Sequence, residues 1–504
     1  MINRRLAILV FALCITVSGV AQQEKPNFLL IMTDDQTYES IHTLNNEEIY
    51  TPNMDRLVDQ GVTFTHAFNQ GSWRGAVCVA SRTMLLTGQS LFRASQNKQL
   101  LSKWTRSKEE YEKTEISIWP EVFSENGYET FITGKWHNSS EAVLQGFDKA
   151  SALAHGFYES RDNEGNRPGY NRGAEGPEWN PWDAKFNGHW SPTVKDVLLD
   201  EEGNKKFGPS YQVAQHTSEL FADQAIDYLL NDAVINTSPF LMYVAFNAPH
   251  DPRQSPKEYV DRYPASSIKI PHNFMTEHPF DQGDSKVRDE KLAPFPRTKE
   301  AVQLHRSEYY AIITHFDHEL GRILKALETS GKGNNTYVIM TSDHGLAIGQ
   351  HGLMGKQNQY DHSIRMPLII NGPGLKAGRK VTKKVYMQSM FATTCELASI
   401  EVPNTVDFKS FKALLNGESK GGEDYVFGAY KNLQRMIRSD TYKLIVYPHN
   451  KNIQLFDLEK DPYEMENLAF NKKYRKIKEQ LLNELIAQQK NLGDFMVLDA
   501  NMFL

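Results

Sequence analysis

A cysteine, three aspartates and two lysines, each at or just beyond an apolar run, are the residues of this chain most able to do chemistry. Cys78 opens the pentapeptide CVASR, Arg82 lies one helical turn further on, and the run continues as TMLLTGQ to Gln89. Asp34 and Asp35 directly follow the apolar segment PNFLLIMT, and Asp343 with His344 follows TYVIMTS. Adjacent acids repel, so keeping them together beside a strand makes sense if a divalent cation neutralises them, and hard oxygen ligands point to Ca2+ or Mg2+ rather than Zn2+. One such acid pair alone is more often a turn or a helix cap. A second acid at another strand tip reverses that weighting. Around them stand GKWH with Lys135 and His137, FNAPHDPR with His250 and Arg253, and HGLMGKQNQYD with Lys356. A lysine can hold an oxyanion, and a histidine near its ordinary pKa can take or give a proton. The bland alternative for each is structural: a small buried cysteine at a helix start, a surface lysine, a histidine capping a strand.

Together these segments resemble the two signatures of the type I, formylglycine-dependent sulfatase family in the alkaline-phosphatase-like superfamily, with CVASR to Gln89 as the first and GYETFITGKWH, residues 127–137, as the second. The resemblance runs from about Pro26 to the C-terminal DLEKDPYEMENLA. It implies that a maturation enzyme converts Cys78 to 3-oxoalanine (formylglycine). A hydrated aldehyde carries two geminal hydroxyls, so one can attack sulfur while the other later expels sulfate, whereas a serine sulfate would be a dead end. The resemblance further implies one Ca2+ ion held by Asp34, Asp35, Cys78, Asp343 and His344, the last replacing an asparagine common in the family. It assigns Arg82 to steadying the hydrate, Lys135 and Lys356 to clamping sulfate, His137 to taking the second hydroxyl's proton and His250 to protonating the leaving alcohol, with Arg253 as a substrate contact. The N-terminus of the helix begun near Cys78 would add partial positive charge. Three positions depart from the family pattern. Ala80 replaces a commoner proline, which bears on the efficiency of maturation and the identity of the maturing enzyme. Gln89 stands where a basic residue is frequent, and Ser389 where an acid is, the latter a structural matter.

The elements that must position these groups alternate between strand and helix signals. Apolar runs precede Asp34 and Asp343, and further runs lie at YETFIT, FLMYVAF (240–246) and MPLII (366–370). Helices are expected from Thr51 and Pro52 to Gly61, over 116–126, over 300–327, over 387–398 and over 472–489. Short, continuous apolar strands suit burial on both faces, so the fold class is α/β: a mostly parallel central sheet flanked by helices, with a smaller C-terminal α+β subdomain. Ligands in such sheets bind beyond the carboxyl ends of strands. The domain reading is a signal peptide over 1–21, a catalytic domain over 22–380 and a C-terminal subdomain over 381–504 with a small antiparallel sheet and a terminal helix. Two irregular stretches interrupt the pattern, about 154–210 and 264–298. The first holds Trp179, Trp182, His189 and Trp190, an aromatic loop suited to stacking on sugar rings, with packing against the body nearly as well supported.

Composition excludes several classes. The 504 residues are 40% apolar and 23% charged, a globular chain with a large core. Arg4 and Arg5, an apolar run from Leu6 to Val17 and small residues to Ala21 form a secretory leader with cleavage near Ala21, too short for a membrane span. Without it 54 basic residues face 62 acidic ones, so no basic field exists to attract nucleic acid. Only Cys78 and Cys395 survive export, and a modified Cys78 leaves no disulfide. The expected product is a periplasmic or secreted enzyme acting on a sulfated polysaccharide or oligosaccharide, ulvan being one candidate. Two rivals stand beside it: a phosphomonoester or phosphonate hydrolase of the same superfamily, and an unmatured glycan-binding relative that keeps the fold.

Overall fold

A computed structural model of the chain describes residues 24–97, 116–154, 171–173, 179–186 and 188–503. The leader expected over residues 1–21 lies outside them. Among the described residues no helix is long and apolar enough to cross a membrane.

The first strand, Asn27–Thr33, is buried along its whole length and is central to the main sheet. Parallel partners flank it on both sides, Phe240–Ala245 and Thr336–Ser342, and beyond the former come Glu129–Lys135 and Lys149–Ala154, also parallel. On the other side, Arg365–Asn371 runs antiparallel to Thr336–Ser342 and to Val62–Phe68. Alternation along the first strand explains its unbroken apolar sequence. Leu29 and Ile31 face one core with helices Pro52–Gln60, Thr217–Asp227 and Lys299–Thr329. Phe28, Leu30 and Met32 face a second core with helices Val77–Thr87, Trp119–Glu125 and Met390–Leu397. A sheet covered on both faces needs apolar residues in both registers.

A second sheet of five strands is an antiparallel meander, Val426–Tyr430, Gln434–Arg438, Tyr442–Tyr447 and Asn452–Asp457, joined by Gly71–Ser72 pairing parallel to the first of them. Leu481, Leu482 and Leu485 of the helix Arg475–Asn491 share the core beneath it. The two residues Gly71–Ser72, just upstream of Cys78, therefore tie the signature loop to this sheet.

Local differences from the sequence expectations have physical causes. The helix expected over 116–126 shortens to Trp119–Glu125, with Pro120 in its first turn, where a missing N–H costs nothing. Among the described residues of the aromatic stretch, Trp179 and Trp190 pack against their neighbours. Trp179 is buried beneath the Arg172 guanidinium, 4.5 Å from its ring, and Trp190 donates to Pro181 O while meeting His216 edge-on. Burying aromatic surface in the body outweighs leaving it exposed.

Candidate active site

Strand tips bring the acids together. The backbone N–H of Asp34 donates to Ala248 O and that of Asp343 to Thr33 O, so the parallel pairing continues one step beyond the strands and sets both acids on one rim. Asp35 has a φ of 71°, a left-handed turn that a non-glycine residue adopts only when its surroundings hold it there. Tyr309 supplies that hold: its hydroxyl donates to Asp35 O at 2.8 Å and accepts from Thr37 N at 3.0 Å. Asp35 N in turn donates to Asp343 Oδ1 at 3.3 Å.

Cys78 reaches the rim from the first turn of Val77–Thr87, a helix buried on every side. Ala76 at its N-cap supplies no side-chain acceptor, so the first N–H groups keep their partial positive charge beside the acids. Ser81 does not cap this helix. It donates to Asp343 O at 2.7 Å, and Arg82 Nε donates to Asp343 Oδ2 at 2.8 Å, which clamps the helix to the second strand tip. The Cys78 Sγ lies 3.0 Å from Asp34 Oδ1, 3.8 Å from Asp35 Oδ1 and 3.0 Å from Lys356 Nζ.

Lys356 touches the sulfur, and Lys135 meets Asp34. Lys356 Nζ donates to both Asp35 oxygens at 2.6 Å, and Lys135 Nζ pairs with Asp34. Lys135 owes its direction to Gly134, whose φ of 96° marks a bulge against Lys149–Ala154; a Cβ there would meet Ala245 O at 2.0 Å. His250 follows Phe240–Ala245. Its Nδ1 donates to Asp251 O at 2.6 Å, and Arg288 Nη2 donates to its Nε2 at 3.3 Å. Buried His189 donates from Nε2 to His250 O at 2.9 Å, fixing that backbone from behind.

Electrostatics follow from burial. Desolvation pushes Asp35 up to about 7 against the pull of Lys356, with Asp343 adding to the rise. Burial drags Lys135 down to about 7. Burial also pushes Asp343 up, but Arg82, Lys135 and Lys356 overcome it and hold that carboxyl below its ordinary value. The Cys78 thiol is pushed well above its usual range by burial and then by Asp343, so this sulfur is a poor thiolate. His250 is held well below its ordinary value, first by burial and then by Lys356 and Lys135.

Four ligand atoms, one each from Asp34, Asp35, Cys78 and His250, lie within 4.8 Å of one another and all are buried. Two of the four atoms are carboxylate oxygens and the others a thiol sulfur and an imidazole nitrogen, a donor set able to hold a divalent cation. The geometry brings His250 into this group. His344 stands apart from it, its Nδ1 turned to Gly345 O at 2.8 Å. His137 is half-buried just beyond Lys135, and Arg253 is buried with its guanidinium on His305 Nδ1 and over the Tyr309 ring. Sequence reasoning missed Arg288, Asp289 and Tyr309. Arg288 joins Asp251 at 2.9 Å and Asp289 at 2.5 Å beside His250, and it comes from an irregular stretch without periodicity to flag it.

Comparison with known proteins agrees along the chain. A family model described as Sulfatase matches residues 26–400, and one described as N-sulphoglucosamine sulphohydrolase, C-terminal, matches residues 349–491. An arylsulfatase of Clostridium perfringens (strain 13 / Type A) is 28% identical over 483 residues, covering 93% of this chain and 96% of its own. A solved structure described as a complex with its substrate D-glucosamine-2-N,6-O-disulfate superposes with a TM-score of 0.70 at 23% identity, over 94% of this chain and 99% of that one. The phosphonate monoester hydrolase of Agrobacterium radiobacter superposes with a TM-score of 0.69 at 20% identity, over 93% and 96% of the two chains. The last two are likenesses of fold.

Proposed function

The chain belongs to the sulfatase family and is a sulfuric ester hydrolase; from that premise we propose that it is an exported enzyme releasing sulfate from a sulfated carbohydrate, using Cys78 in its oxidised, formylglycine form and one Ca2+ ion. The observation that carries this reading is the position of Cys78 Sγ, 3.0 Å from both Asp34 Oδ1 and Lys356 Nζ within a buried set of ligand atoms. The perturbed thiol supports it further, because a cysteine whose charged form is so disfavoured is unsuited to attack as a thiolate.

In its aldehyde-hydrate form the side chain at 78 would supply one hydroxyl to attack sulfur and a second to expel sulfate. Asp34, Asp35 and Asp343 would hold the cation together with residue 78 and a histidine, either His344 as the family pattern implies or His250 as the geometry favours; the ion would offset negative charge on the transferring group. Lys135 and Lys356, their Nζ atoms held at Asp34 and Asp35, would bind the non-bridging sulfate oxygens. Arg82 keeps the helix N-terminus and the Asp343 tip in register. Where His344 holds the cation, His250, its Nδ1 committed to Asp251 O, is left to serve the leaving alcohol through Nε2, as the family pattern implies. His137 takes the second hydroxyl's proton.

A sulfated amino sugar is the substrate of the relative in the superposed complex, and heparin-type, carrageenan-type and ulvan-type oligosaccharides define the panel to screen. Peptide mass spectrometry of the Cys78 segment from the native host tests maturation. An aldehyde is expected, and an intact thiol in active protein refutes the reading; an intact thiol in inactive, glycan-binding protein favours the unmatured relative. Cys78→Ala is expected to fold as the parent does, by circular dichroism, and to release no sulfate. The likeness to a phosphonate monoester hydrolase keeps one rival in view. Comparing kcat/KM for the sulfate and phosphate esters of one leaving group decides between them.

A further inference from the structure

A cleft of about 400 Å³ opens where the loop after the first strand, the stretch 269–273, the long helix and the turn 462–464 meet; Cys78, the three acids and the two lysines do not line it, and Tyr309, which holds the Asp35 turn from behind, forms part of its wall. Its volume falls within the range of small-ligand sites, and it lies between the body of the main sheet and the C-terminal segment, where such sites concentrate. Arg306 is its distinctive group. Its Nη2 meets the Tyr310 hydroxyl, its Nε is buried without a partner, and among the described residues it has no carboxylate partner. A buried N–H left unpaired carries the full desolvation cost of the group unless a ligand supplies an acceptor. The Tyr310 hydroxyl also accepts from Asn46 Nδ2 at 3.2 Å, so its own proton stays available for a ligand. Tyr463 is 39% exposed with one ring face toward His272. One lining residue, Glu464, holds left-handed backbone at a φ of 58°.

We propose that this cleft is a second, non-catalytic site for an anionic sugar residue of a sulfated oligosaccharide. Arg306 contacts the sulfate or carboxylate, Tyr463 meets a ring face, and the amide and carboxylate side chains on the rim pair with hydroxyls. The lining sets Lys269, Arg306 and Arg365 beside Glu39, Glu47, Glu48, Asp361 and Glu464, with phenols and amides between them, and this mixture suits a sugar that carries one anionic group among hydroxyls. Such a site would hold a longer substrate near the catalytic rim by tethering, without altering the chemistry there. The inference rests on the carbohydrate reading of the function only for its kinetic consequence.

The test uses the full chain. Cys78→Ala and Cys78→Ala/Arg306→Ala are titrated calorimetrically with sulfated tetrasaccharides from heparin, carrageenan and ulvan, and matured Arg306→Ala is assayed on 4-nitrophenyl sulfate and on the same tetrasaccharides. Binding about tenfold or more tighter is expected for the first variant than for the second. Arg306→Ala should raise KM for a tetrasaccharide about tenfold or more while aryl sulfate turnover stays within about twofold. Arg306→Lys should recover part of the binding. Equal stoichiometry and affinity in the two Cys78→Ala backgrounds, or an equal loss on the aryl sulfate, overturns the cleft. A parent enzyme that cleaves aryl sulfate but no sugar sulfate ends the carbohydrate reading instead, and the titration still judges the cleft separately.

Discussion

Replacing Lys356 with methionine removes a charge while keeping most of the side-chain volume, and it separates two roles assigned to that ammonium. Lys356 is 4% exposed, sits 2.6 Å from both oxygens of Asp35 and 3.0 Å from Cys78 Sγ. Without it Asp35, already pushed up to about 7, faces Asp343 with one cation fewer. Breaking a buried pair by removing one partner costs about 3–5 kcal/mol. In the proposed mechanism the same group binds the transferring sulfate, and losing one preorganised donor costs about 10²–10³ in kcat. Calcium distinguishes the two effects. A cation at the acids replaces the lost positive charge, and binding to the native state alone restores about 2.7 kcal/mol at a hundred times its Kd. It cannot replace the clamp on sulfate. Denaturant midpoints and kcat for 4-nitrophenyl sulfate are therefore measured for parent and Lys356→Met, each with EDTA and with Ca2+, after mass spectrometry has shown equal maturation at Cys78. The expected result is a stability deficit that Ca2+ narrows more in the variant than in the parent, beside a kcat deficit that Ca2+ leaves in place. A variant whose kcat stays within about threefold of the parent would refute the clamp, and identical Ca2+ responses would refute the charge argument.

Two further outcomes follow from groups away from the rim. Asp317 of the long helix accepts from Asn53 N at 3.0 Å and Met54 N at 2.8 Å, satisfying first-turn donors of Pro52–Gln60 that Thr51 leaves uncapped; Asp317→Ala is expected to cost about 2–3 kcal/mol and Asp317→Asn less, and equal losses in denaturant titrations would contradict this. His351 is buried between Glu464 O and the Tyr360 ring, and burial lowers its pKa from 6.5 to about 3. The unfolded chain thus takes up the proton first, so stability is full above about pH 6.5 and is lost as pH falls toward 3. For this residue the loss amounts to about 2 kcal/mol at pH 5. The midpoint should drop from pH 7 to pH 5 in the parent and drop less in His351→Gln; a rise on acidification would sink the account.

Much of the frame was readable from short-range pattern. Apolar runs of seven residues ending in acids located the two strand tips, and the 3.6-residue period located the long helix within two residues at each end. Less readable was Val62–Phe68, a strand whose sequence VTFTHAF mixes polar and apolar positions because part of it is only half-buried. The tryptophans of the irregular stretch looked able to face solvent, since nothing local says which surface will cover an aromatic ring. Arg288 and Asp289 carry no periodicity, and their place beside His250 depends on the path of a loop.

The amino-acid sequence alone determined the chemistry available: which residues are acids, which is the cysteine, and that each falls where an element begins or ends. Identity and local period are properties of neighbours along the chain. Only the tertiary structure decided that Asp35 and Asp343, 308 positions apart, share a hydrogen bond. It also placed a ring nitrogen of His250 within 4.8 Å of ligand atoms of Asp34, Asp35 and Cys78, and left the Nε of Arg306 buried without a partner in the cleft beside Tyr310. The physical reason is that these relations are fixed by parallel strand pairing and by the packing of two cores, whose cost and gain are summed over distant segments and are not encoded in any single one of them.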